Sequence, residues 1–286
     1  MLLGQIMGPL ATMIEPGDRD AFAEVTEHLS GKQLALVIQS PGGFAETAEA
    51  LVEQLRARFD DIRVIVPVYA KSAATMLALS ADELVLDEHS ELGPIDPQFT
   101  RGSTVSPAQG ILEQFKQATD EIKQDPAKLP AWVPILQQYA PSLLQDARQA
   151  LDLAREMVTG WLEAYMFRNR KDAHTIADRV ARYFSGEDPQ DPTRSHGRPI
   201  GIKRAKEMRL RVVDMRRRPE LQRRVRELHH AVNITLTQTQ AYKLLENSLG
   251  HSFIRGLQVQ ANIQPVPAMQ PPGIPAVPTP GPSSCR

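Results

Sequence analysis

A single cysteine, Cys285, in 286 residues leaves no partner for an intramolecular disulfide and excludes a multi-cysteine metal centre within the chain. Neither sign of charge is in excess. The 33 Lys and Arg stand against 34 Asp and Glu, a net charge of -1, so the general electrostatic pull that nucleic-acid binding relies on is missing. Long hydrophobic runs are absent too: nowhere do about 18 apolar residues follow one another, the length a spanning helix requires. The opening MLLGQIMGPLATMI is apolar but has no basic stretch ahead of it, and it reads as a first strand rather than a secretory leader. The expectation is a soluble cytoplasmic protein with no nucleic-acid partner, no transmembrane segment, no metal and no cofactor.

What is present alternates. Phe22, Val25 and Leu29 recur at helical spacing, and the short apolar run Gln33 to Gln39 follows as a buried strand. Residues 44–59 repeat the helical spacing through Ala48, Leu51, Leu55 and Phe59, and Ile62 to Val68 repeats the strand. Ser72 to Leu79 suits a helix and Glu83 to Leu86 a strand. Repeated β–α units of this length predict an α/β fold, with a largely parallel sheet and crossover helices on its faces. From about residue 100 to 141, turns and five prolines break the pattern, as expected of an insertion or lid. Helices are predicted again over 142–169, 175–184 and 200–208, and residues 220–262 read as further helix. The stretch 264–286 holds eight prolines and reads as a disordered or polyproline-like tail. The domain reading is a core over 1–215, a helical extension over 216–263 and that tail.

Two strand-to-helix turns carry chemistry. Ser40-Pro41-Gly42-Gly43 lets the backbone turn sharply and aim free amides outward, which can bind an oxyanion; it also suits any tight connection. Lys71-Ser72-Ala73-Ala74 puts a serine at a helix start among small neighbours. That serine is either a helix N-cap or a nucleophile. Consecutive units bring two such turns to the carboxyl ends of parallel strands, where open α/β sheets bind ligands.

Together QSPGGFAETAEAL, VPVYAKSAATMLALSADELVL and SELGPIDPQF resemble the Clp-fold serine peptidases, and most closely the serine dehydrogenase proteinase family. The likeness covers roughly 1–215 and implies a Clp/crotonase-like fold, a homo-oligomer and a serine-type peptidase acting on peptide or protein substrates. It also implies a Ser/Asp/His triad in that chain order, where Clp proteolytic subunits have Ser, His, Asp. On this resemblance Ser72 is the nucleophile, His196 of TRSHGRPI the base and Asp96 of GPIDPQ its orienting carboxylate, with the Gly43 and Ala73 amides as oxyanion hole. Other Clp-fold peptidases use a lysine base, which leaves Lys116 and Lys123 as alternatives; Lys71 adjoins Ser72 and is expected to point elsewhere.

By themselves His196 reads as a surface histidine in a polar loop and Asp96 as part of an Asp-Pro turn. Two other functions stay open: a catalytically weak Clp-fold scaffold that binds peptides, and a crotonase-like acyl-CoA enzyme. The latter would need a glutamate base and a nucleotide pocket that no spacing here suggests. The arginines from Arg216 to Arg226 lack interleaved aromatics and read as a solvated helix face. His229-His230 lacks the spacing of two metal ligands on one helix face.

Overall fold

The computed structural model describes residues 12–101, 104–188 and 197–257. The expected first strand therefore falls mostly outside the described residues, as does the proline-rich tail. Contacts divide the chain into Met1–Gly256 and Leu257–Arg286.

The alternation read from the sequence is the fold: α1 (Asp18–Glu27), β1 (Gln33–Val37), α2 (Ala45–Arg58), β2 (Asp61–Val66), β3 (Tyr69–Ala70), α3 (Ala73–Leu79) and β4 (Glu83–Leu86). A long excursion then separates β4 from β8 (Val212–Asp214), which completes a four-stranded sheet ordered β1-β2-β4-β8. Every neighbouring pair in it is parallel, with Val64 opposite Leu36 and Leu84, and Val85 opposite Val213. The protein is thus α/β with a largely parallel sheet. Strand β8 is a three-residue element that the apolar pattern does not reveal.

Alternation along β2 and β4 splits their side chains between two cores. Val64, Val66, Leu84 and Leu86 face the main one, shared with Leu51 and Leu55 of α2, Leu77 of α3 and the helices α6 (Leu143–Trp161) and α7 (Ala173–Phe184). Ile65 and Val85 face a smaller one, capped by Met215 and by Val225 of α9 (Pro219–Gln238). The buried strand expected at 33–39 is corrected: β1 is an edge strand whose residues alternate between exposed and partly buried, and Val37 remains 36 % exposed. Its Leu34 and Leu36 pack against the main core, while Gln33, Ala35 and Val37 alternate onto the exposed side.

The expected insertion begins with an antiparallel hairpin, β6 (Gln98–Arg101) and β7 (Thr104–Pro107), and continues as α4 (Ala108–Gln124) and α5 (Leu129–Leu136). It packs against α6 through a small separate core of Ala108, Ala147 and Leu151. Between α7 and β8 lies the short α8 (Ile202–Glu207). The extension differs from its sequence reading in one respect. It is helical only to Gln238, and 241–256 form an antiparallel hairpin, β9 (Ala241–Glu246) and β10 (Ser252–Gly256). Tyr242, Phe253 and Ile254 fit extended backbone, and Asn247, Ser248 and Gly250 fit the turn between the strands.

Candidate active site

Chain pairing beyond the main sheet sets the two sequence turns side by side. Ser40 bridges Ala70 in parallel, its N–H donating to the Tyr69 carbonyl at 3.3 Å and its carbonyl accepting from Lys71 at 3.1 Å. Two residues further on, each chain reaches its turn. A Cβ on Gly42 would lie 2.7 Å from the Ser72 Cβ and 3.3 Å from the Ala73 nitrogen, so only glycine lets the backbones approach this closely. Its φ of +107° is of the kind glycine adopts freely, and the Ser40 hydroxyl holds the turn by accepting from the Gly42 N–H at 3.2 Å.

Gly43 is pinned from its other side. The Ile14 N–H donates to the Gly42 carbonyl at 2.6 Å, and the Phe44 N–H donates to the Ile14 carbonyl at 3.0 Å. In a parallel bridge these two bonds flank Gly43 and direct its own N–H away from Ile14. Ala73 is the first residue of α3, a position whose N–H has no acceptor within the helix. Among the described residues no backbone hydrogen bond is donated by the Gly43 or Ala73 N–H.

Ser72 itself has φ +48° and ψ -122°, outside the regions an L-residue ordinarily occupies. Among the described non-glycine residues only Arg209 shares its positive φ. It occupies the N-cap position, yet its side chain makes no capping bond, and no hydrogen bond from its hydroxyl is found among the described residues. Of the two sequence readings, the capping serine is not the one realised. A strained turn that holds an uncommitted hydroxyl away from the helix backbone has the geometry of a nucleophile elbow.

The strain is held by a residue that the sequence patterns did not single out for this role. Thr75, fully buried, donates its hydroxyl to the Ala70 carbonyl at 2.6 Å and accepts from the Gly93 N–H at 3.0 Å. It ties the strand before Ser72 to the segment leading to Asp96. Thr75→Val is expected to lose about 1–2 kcal/mol of stability, whereas Thr75→Ser retains most of it. Urea midpoints of the two variants check this, and equal midpoints would refute the tie.

Asp96 follows β5 (Glu91–Leu92), which pairs in parallel with β3. It is 6 % exposed, and the Gln98 side chain donates to its Oδ2 at 2.7 Å. His196 lies outside the described residues. Its flank does not: Ile200 and Leu92 form an antiparallel bridge through two hydrogen bonds of 2.8 and 3.0 Å.

The lysines fall elsewhere. Lys71 is spent on Glu91, with Nζ 2.8 Å from its carboxylate, as its expected direction implied. Lys116 and Lys123 are both exposed on α4. Among the described residues no group of three or more His, Cys, Asp or Glu could hold a metal ion, and no helix is long and apolar enough to cross a membrane.

Glycines that admit the serine turn, a strained serine and the GPIDPQ segment all fall in one stretch, and that stretch matches a family model for ClpP-like SDH-type serine proteinases over residues 22–134. Over those residues the chain is similar to that family. Among curated relatives, the uncharacterized protein MJ0137 of Methanocaldococcus jannaschii is 32% identical over 141 residues, 47% of this chain and 49% of that one. A second from the same organism, uncharacterized protein MJ1495, is 28% identical over 138 residues, 46% of each. The chain thus spans about half the length of the curated relatives it matches. Among solved structures, a mutant of the 1510-N membrane-bound stomatin-specific protease in complex with a substrate peptide has a TM-score of 0.43 at 13% identity, over 70% of each chain. A ClpP1 mutant from Listeria monocytogenes has 0.38 at 9%, over 74% of this chain and 96% of that one.

Proposed function

We propose that this chain is a serine-type peptidase that cleaves peptide bonds through an acyl-enzyme on Ser72. The observation that carries the reading is the strained, uncapped Ser72 hydroxyl, set between the Gly42 turn and the first amide of α3. In the reaction the Ser72 Oγ attacks the acyl carbon and passes its proton to His196. The carbonyl becomes an oxyanion facing the Gly43 and Ala73 amides. His196 gives the proton to the departing amine, and water, activated by the same imidazole, then releases the acyl group and regenerates the serine.

Asp96 is the group that orients the imidazole. Its burial and the Gln98 bond to Oδ2 hold the carboxylate in one orientation. The Leu92–Ile200 bridge supports pairing it with His196, because the bridge ties together two segments at points four residues from each group. As the resemblance implies, the working form is a homo-oligomer acting on peptide or protein substrates.

A fluorophosphonate probe tests the chemistry. One mole of adduct per mole of chain, mapped by peptide mass to Ser72, is the expected result. His196→Ala is expected to slow labelling about 10²-fold or more. Labelling that maps to another serine removes the nucleophile assignment. Undiminished labelling of His196→Ala removes the base and returns attention to Lys116 and Lys123.

A further inference from the structure

The extension beyond β8 has no part in the proposed chemistry, yet its hairpin reaches a segment that fixes Gly43. Lys243 of β9 extends its Nζ to the Met13 carbonyl at 2.7 Å and to both carboxylate oxygens of Asp18 at 2.8 and 3.0 Å. The two charged side chains are only 9% and 5% exposed. A buried ammonium is tolerated only when its donors are satisfied, and here a backbone carbonyl takes one of them. Asp18 in turn accepts from the Glu15 N–H at 2.9 Å, and Arg255 of β10 pairs with the Glu15 carboxylate. Residues 13 and 15 are therefore held from the hairpin side, while Ile14 between them makes the two bonds that bracket Gly43.

There is little slack at that contact. A Cβ on Gly43 would meet the Ile14 backbone nitrogen at 2.5 Å and its carbonyl oxygen closer still. A shift of Ile14 must accordingly move Gly43, and with it the direction of its amide. We infer that the β9–β10 hairpin is a clamp on residues 13–15 that aims the Gly43 amide, with Lys243 as a positioning residue for the oxyanion hole. The inference rests on the peptidase reading for its catalytic consequence, though not for its geometry. It assigns the extension a role in transition-state stabilisation: an oxyanion donor that is present but misdirected loses rate without losing substrate affinity.

The hairpin also supplies its own control. Asn247, in the turn between the strands, donates to the Val25 carbonyl at 2.8 Å and so holds the hairpin to α1 without touching residues 13–15.

The test is made in the full chain, with fluorophosphonate labelling rates, kcat and KM on a fluorogenic peptide, and amide hydrogen exchange. Lys243→Met is expected to lower labelling and kcat about 10-fold to 100-fold with KM within about twofold. Lys243→Arg is expected to restore part of the rate, and Asn247→Ala to leave it within about twofold of wild type. A Lys243→Met protein that labels at the wild-type rate overturns the clamp. So does an Asn247→Ala protein that is slowed equally, since the hairpin would then matter only for general stability. If Lys243→Met does not fold, Arg255→Ala decides: labelling slowed at least threefold at unchanged KM supports the clamp, and an unchanged rate overturns it. If the wild-type chain is not labelled at all, the peptidase reading fails by itself and exchange judges the clamp. Faster exchange of the Phe44 amide relative to the Met76 amide in Lys243→Met supports it, and an unchanged ratio refutes it.

Discussion

Ser72→Ala is expected to cut peptide turnover at least about 10³-fold and to abolish fluorophosphonate labelling, because only the oxyanion amides and substrate binding would remain to accelerate the reaction. Its effect on stability is the more discriminating result when Ser72→Gly is measured beside it. At φ +48° and ψ -122° a Cβ-bearing residue pays about 1–3 kcal/mol in backbone strain. Alanine pays as serine does, and with no capping bond to lose it should unfold near the wild-type midpoint. Glycine escapes the strain and gives back about 0.5–1 kcal/mol through the greater freedom of its unfolded chain. Ser72→Gly is thus expected to be more stable than Ser72→Ala by about 1 kcal/mol, roughly 2–4 °C in melting temperature for a unit of this size. Both would be inactive. A glycine variant less stable than the alanine one would mean that the elbow is not strained, and the observation that carries the peptidase reading would go with it.

The elements around this elbow were legible in sequence because each is a local pattern. Helix α2 and strand β4 follow from periodicity and run length, and both turns announce themselves through Gly42, Gly43 and the small residues after Ser72. Local patterns do not reveal an element whose deciding interaction is distant in sequence. Strand β8 is only three residues long and is defined by its register with β4, about 130 positions earlier. The hairpin at 241–256 follows α9 directly, and with leucines at 244 and 245 its alternation is weak enough to pass for mixed helix. At the site, Ser72, Gly43 and Ala73 were readable as motif positions. Thr75 carries no motif signal, because its role lies in two bonds to backbone groups, one of them to Gly93. Lys243 gave no signal: a lysine among strand residues reads as solvated, and its partners stand at Met13 and Asp18, more than 200 residues away.

Gly43→Ala is expected to lower kcat about 100-fold or more while KM stays within a few-fold, for a reason separate from the loss of a nucleophile. The added methyl group would point into the Ile14 backbone, which cannot yield like the end of a flexible side chain. Ile14 cannot retreat cheaply either, since Lys243 and Arg255 hold the residues on both sides of it. Relief must come from rotation of the Gly43 peptide units, whose φ of +152° alanine also disfavours, and that rotation turns away the donor meant for the oxyanion. Because that bond strengthens as negative charge develops on the carbonyl oxygen, the loss falls on the transition state. A stability loss of about 1–3 kcal/mol is expected alongside. Gly31→Ala separates the two effects: its φ of +89° is equally unfavourable to alanine, but no atom lies within 4 Å of the added carbon. It should lose stability and keep its rate. If Gly43→Ala keeps wild-type kcat, the amide is not a donor to the reacting oxygen, and the oxyanion must be held by Ala73 and some other group.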